Sequence, residues 1–169
     1  MASLYQFMGA AQGTTAATVK KTTGTSIITL LQVLNANADI AVVEWGISFD
    51  GSAAATPIEC ELIHTTTVAA TVTAHVENDI TKFGYARGLT AANAGFTLST
   101  SGCGYTSSAE GSIVAPVRTG DIQLVAPTNQ YVKQFPLGRE FVVPAAGVLR
   151  VRVTAAAAVN AYCYIVAEV

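Results

Sequence analysis

With 169 residues, nine basic and eleven acidic side chains and a net charge of −2, this chain can build one full hydrophobic core but offers no basic stripe for nucleic acid. Hydrophobic residues make up 51% of it and charged residues only 12%, against roughly 25% charged in an average soluble protein. No window approaches the ~18 uninterrupted apolar residues of a membrane span, and residues 1–18 lack the basic start and long apolar run of a secretory signal, so a soluble protein made in the cytoplasm, binding neither nucleic acid nor membrane, is expected.

A folded monomer of 17.4 kDa exposes on the order of 7,900 Å², or about one formal charge per 400 Å². Such a surface guards poorly against association, and covering part of it with copies of itself or with a partner is the simplest remedy. The three cysteines, Cys60, Cys103 and Cys163, are odd in number and lack paired spacing, which points to reduced thiols.

Along the chain, residues 1–25 are rich in Ala, Gly and Thr and read as an extended N-terminal arm. Its cluster of Leu4, Tyr5, Phe7 and Met8 is expected to dock on its own sheet, on a sister subunit or on another protein. From Ser26, SIITLLQVLN is apolar on both faces, as in a doubly covered strand. Residues 39–51 alternate, with Val43, Trp45, Ile47 and Phe49 on one face and Val42, Glu44, Gly46 and Ser48 on the other, and end in an Asp50-Gly51 turn. PIECELIHTT then sets Ile58, Cys60, Leu62 and His64 against Glu59, Glu61 and Ile63. Further strand-like runs begin at Thr67, Glu110, Asp121, Gln130 and Glu140, while residues 78–107 form a long Gly/Ser/Thr-rich connection of the kind that is functional or ordered by a neighbour.

The C-terminal stretch reads as a hairpin: a strand over 148–154, a tight alanine turn and a strand over 159–169. Four alanines make barely one helical turn, and the β-formers around them favour the pleat. Leu149, Val151 and Val153 are expected to face the core, as are Val159, Ala161, Cys163 and Ile165. Arg150 and Arg152 are expected on the open face, discouraging stray edge pairing and reaching carboxylates on a neighbour, and with Tyr162 and Tyr164 they are expected at a subunit interface. The whole implies an all-β chain: an arm over 1–25 and one domain over 26–169, a two-sheet antiparallel sandwich of about nine short strands, jelly-roll-like in topology.

Chemistry is sparse. The sequence contains no G-x-S-x-G elbow, phosphate-cradling P-loop, H-E-x-x-H or spaced-aspartate calcium loop, so no catalytic residue, metal or cofactor is expected. His64, His75 and Glu77 would fall at opposite ends of a hairpin, too far apart to share an ion. Cys103, between Gly102 and Gly104, sits in a flexible, exposed-looking context with nothing nearby in sequence to activate it; Cys60 and Cys163 read as core. Glu59 and Glu61 share a face at a spacing of roughly 7 Å, better explained by solvation or an ion pair to Arg150 or Arg152 than by acid/base catalysis. Trp45, the single tryptophan, belongs to the core face of its strand.

Several segments together, FMGAAQGT, VEWGISFDG, PIECELIHT, SAEGSI and LRVRVTAAAAVNAYCYIVAEV, resemble small head proteins of tailed bacteriophages, the decoration or cement proteins of jelly-roll type. The resemblance implies a homotrimer on the outer surface of an icosahedral capsid, with the major capsid protein and its own copies as partners, stabilising the shell without chemistry. A head-fibre, tail or receptor-binding virion protein is the nearest other reading. A carbohydrate-binding module would need Trp45 or Tyr85 at a sugar, and an enzyme would need Glu59 and Glu61 or Cys103 to act.

Overall fold

The computed structural model describes residues 3–12, 17–52, 56–83, 91, 94–113 and 117–169. Thirteen strands follow one another among them: β1 (Leu4–Met8), β2 (Lys21–Thr22), β3 (Ile28–Leu34), β4 (Ile40–Phe49), β5 (Ile58–His64), β6 (Thr71–Ala74), β7 (Ile80–Phe83), β8 (Gly104–Ala109), β9 (Arg118–Val125), β10 (Gln130–Gln134), β11 (Phe141–Val143), β12 (Val148–Thr154) and β13 (Asn160–Glu168). The only helical element described is the 3₁₀ turn Glu77–Asp79. Sheet A runs β10-β4-β13-β1-β7, with β11 also on β4 and β2 also on β13; sheet B runs β6-β8-β3-β12-β5-β9. Every pairing is antiparallel, and the two sheets pack as the sandwich expected from the alternation.

The core lies between the sheets and is filled by the inward set of each strand: Leu149, Val151 and Val153 from β12, Ala161, Cys163 and Ile165 from β13, Ile58, Cys60 and Leu62 from β5. Trp45 is fully buried there and donates Nε1–H to Asp121 at 3.3 Å.

Four expectations are corrected. Leu4–Met8 is not part of a free arm: it is an interior strand of sheet A between β13 and β7, and Tyr5 and Phe7 pack edge-on against Phe96 at ring separations of 5.1 and 4.8 Å. These aromatics had a core to enter, built from residues far away in sequence. β12 and β13 form no hairpin; they belong to opposite sheets, and the alanine turn carries the chain across the sandwich. In β4 the inward set is Ile40 and Val42, then Trp45, Ile47 and Phe49, because a bulge opposite the Val166/Ala167 step inserts one residue and moves Val43 off the core face. Glu110 and residues 111–113 form no strand, whereas β7 and β8 occupy part of the expected 78–107 connection.

At one edge of the sandwich β9 and β10 are joined by the turn over 126–129 and stand as the edge strands of the two sheets. Asp121 closes the gap between them, accepting from Tyr131 Oη at 2.8 Å, Gln123 Nε2 at 3.1 Å and Lys133 Nζ at 3.2 Å as well as from Trp45. Burial raises this carboxyl, but the three side-chain hydrogen bonds from Gln123, Tyr131 and Lys133 outweigh it and hold Asp121 below the ordinary aspartate value.

Candidate interaction surface

The strand register of sheet A lines up outward side chains in rows across the face that points away from sheet B. One row runs Val142, Ala41, Glu168, Leu4, Phe83; the next Gln134, Glu44, Val166, Gln6, Thr81; a third Val132, Gly46, Tyr164, Met8; a fourth Gln130, Ser48, Tyr162. Period two in β1 and β13 dictates this, since residues between the buried positions must point out. Among the described residues the rows contain two carboxylates, Glu44 and Glu168, and no basic side chain. Phe83 is 41% exposed and Val132 49%.

Of the residues expected to meet partners, this face brings together Leu4 and Met8 from β1 with Tyr162 and Tyr164 from β13. Tyr5 and Phe7 point the other way, into the core, and are buried. The Tyr164 hydroxyl donates to Glu44 Oε1, and Glu44 also accepts from Gln134 Nε2 at 2.6 Å. Burial, reinforced by that carboxylate, pushes the Tyr164 phenol well above its usual range. The Tyr162 hydroxyl donates to the Thr18 carbonyl. Between these two rings and Ser48, Gln130 and Val132 lies a depression of about 80 Å³.

Arg150 and Arg152 are on the opposite side of the molecule, on the outer face of sheet B, and neither stands open as expected. Arg150 is fully buried: Nε and Nη2 donate to Thr29 Oγ1 at 2.9 and 2.6 Å, Nη1 to the Glu110 carbonyl at 3.2 Å, and Nη2 also meets the Glu110 carboxylate. The strap at Glu110 covers it, while Gln32 beside it is covered by Ala70 and Gly102, to which it bonds. Burial lowers the Arg150 pKa and the Glu110 charge opposes that. Arg152 pairs with Glu61 at 2.7 Å, one of the two pairings expected for that acidic residue, while Glu59 stays exposed.

The remaining chemical candidates disperse. β5 and β6 lie in different parts of sheet B and do not pair, so His64 and His75 are not the ends of one hairpin. Both are buried; His75 Nε2 is 2.9 Å from the Met8 carbonyl oxygen, and the Nδ1 of each ring has no hydrogen-bond partner among the described residues. Among the described residues no three His, Cys, Asp or Glu side chains group to hold a metal. Cys103 is buried rather than exposed, its thiol against the Leu34 carbonyl at 3.3 Å, and burial pushes it up to about 12, as it does Cys60. Tyr85 lies outside the described residues.

One feature escaped the sequence reading. Between β10 and β11, which both pair with β4, residues 135–140 leave the sheet edge opposite the β4 bulge. Arg139 N donates to the Pro136 carbonyl at 2.9 Å and Gly138 has φ +76°, which makes Pro136–Arg139 a type II turn with Leu137 at its apex, 88% exposed. The signal was present as Pro-Leu-Gly-Arg, a turn sequence that spends its apex on a leucine. Comparison of the chain with protein families, with characterised proteins and with solved structures gives no match.

Proposed function

We propose that this chain is a structural virion protein, a homotrimer that binds the outer surface of an icosahedral phage capsid, contacts the major capsid protein and stabilises the shell. The observation that carries the reading is the outer face of sheet A. Its rows combine Leu4, Met8, Tyr162, Tyr164, Val166 and Phe83 with the uncharged polar Gln6, Ser48, Thr81, Gln130 and Gln134, two acids and no base, on a chain with only twenty formal charges. An extended apolar sheet face of this kind is an interaction surface in a protein that must stay soluble alone. The resemblance of the quoted segments to jelly-roll decoration proteins supplies the kind of partner.

Attachment through three copies suits a role without chemistry. Once one subunit of a trimer touches the lattice, the other two bind at high local concentration, so weak single contacts add to firm attachment. A protein that binds the mature shell in preference to its ruptured form stabilises it by that preference alone.

The test is addition of purified protein to capsids that lack it. Saturable, stoichiometric binding at hundreds of regularly spaced positions, with a rise in the temperature at which shells rupture, is expected. Binding at only a handful of positions would instead support a fibre or tail component, and no binding would overturn the proposal.

A further inference from the structure

The turn at Leu137 and the depression beside Tyr164 have complementary shapes and charges. Leu137 is the most exposed large hydrophobic among the described residues, and it is held on an ordered turn: besides the Arg139-to-Pro136 bond, Glu140 Oε1 accepts the Gly138 N–H at 2.8 Å. A knob fixed in this way loses little conformational freedom when it docks. The depression, at about 80 Å³, is well below the ~300 Å³ of small-molecule sites and on the scale of a single side chain. Both tyrosine hydroxyls on its rim already donate within the chain, to Thr18 O and Glu44, so an entering apolar group meets ring surface rather than an unsatisfied hydroxyl.

The charges agree with the shapes. The described ion pairs are Lys20–Asp50, Lys133–Asp121, Arg150–Glu110 and Arg152–Glu61; among the described residues Arg139 and Glu44 are two of several charges that enter none of them, and they are the two that stand beside the knob and the depression. Arg139 is two residues from Leu137, and Glu44 is hydrogen-bonded to the tyrosine that walls the depression. Leu137 is exposed, so it does not fill its own chain's depression.

We infer that the occupant of the depression is a second copy of this chain: Leu137 of one copy enters between Tyr162 and Tyr164 of the next, and Arg139 pairs there with Glu44. Knob and socket are different surfaces, so the contact runs head to tail, and in a closed assembly of three every knob and every socket is used. The inference rests on the self-association in the proposed function and deepens it by naming the contact.

Sedimentation velocity over a concentration series, on the wild type and on Leu137→Asp, Arg139→Glu and the swap Arg139→Glu/Glu44→Lys, decides it. Positions 137 and 139 are exposed on a turn, so the first two variants keep the wild-type far-UV circular dichroism spectrum, and their urea midpoints match the wild type's once all are diluted to the monomer. Leu137→Asp is expected to weaken self-association at least 100-fold and Arg139→Glu at least tenfold, with the swap recovering most of the loss. A trimer indifferent to Leu137→Asp and Arg139→Glu would overturn the contact and leave the trimer standing. A dimer dissolved by both variants would support the contact and overturn the trimer, and a wild type that stays monomeric throughout would overturn both.

Discussion

The ring of Tyr164 lies against Gly46 on the neighbouring strand, so closely that a Cβ at residue 46 would stand 2.5 Å from Tyr164 Cε1. Glycine at this position lets the Tyr164 ring lie across β4 and reach Glu44. Gly46→Ala is expected to lift the ring, break its bond to Glu44 and destabilise the fold by about 1–3 kcal/mol, the usual range for overpacking. Urea unfolding measures this, and a stability equal to wild type would show that the ring can move aside freely.

Arg150 and Glu110 make a second test, because the pair joins the strap at residue 110 to a core strand. Removing one member of a buried pair leaves the other charge uncompensated, so Arg150→Met is expected to cost about 3 kcal/mol, and Arg150→Met/Glu110→Met less than the single change. Additive losses in a double-mutant cycle would mean that the two side chains do not share an interaction.

Acid sensitivity follows from the two histidines. Burial lowers the pKa of both below the ordinary 6.5, helped at His64 by Arg118 and only partly opposed at His75 by the Met8 carbonyl and Asp79. The unfolded chain then takes up protons first as pH drops through 6.5, so stability is full above that value and declines below it. Asp121, held below 3.8, adds a later loss as the pH falls past that value. Urea midpoints between pH 8 and pH 5 are expected to fall in the lower half of the range, and His75→Asn to flatten the decline; a midpoint that rises on acidification would contradict the burial of neutral imidazole.

All three cysteines are buried, and burial raises each thiol, Cys60 and Cys103 to about 12. Thiolate is the reactive form, so a disulfide reagent at pH 8 is expected to label none of them in the folded protein except at the rate of unfolding, and all three in denaturant. Fast labelling of one thiol in the native state would place that residue at the surface after all.

Much of the sandwich was legible because period two is a local signal. β5, β12 and β13 each declare their inward set in the sequence, and Trp45 falls inside with them. What failed was non-local. No local rule tells that Tyr5 and Phe7 find Phe96, that the strap at Glu110 roofs Arg150, or that β12 and β13 join different sheets. The bulge at Val43 is equally silent, because one inserted residue leaves the alternation intact on either side of it. Of the candidate surface, Tyr162 and Tyr164 were found from alternation, whereas Leu137 lies between the runs that begin at Gln130 and Glu140, where no period-two signal singles it out.

Sedimentation equilibrium of the purified chain at micromolar concentration bears most directly on the central claim that the outer face of sheet A is covered by neighbours. A mass of about 52 kDa, three times 17.4 kDa, is the expected result. A single species of 17.4 kDa at every concentration would contradict it.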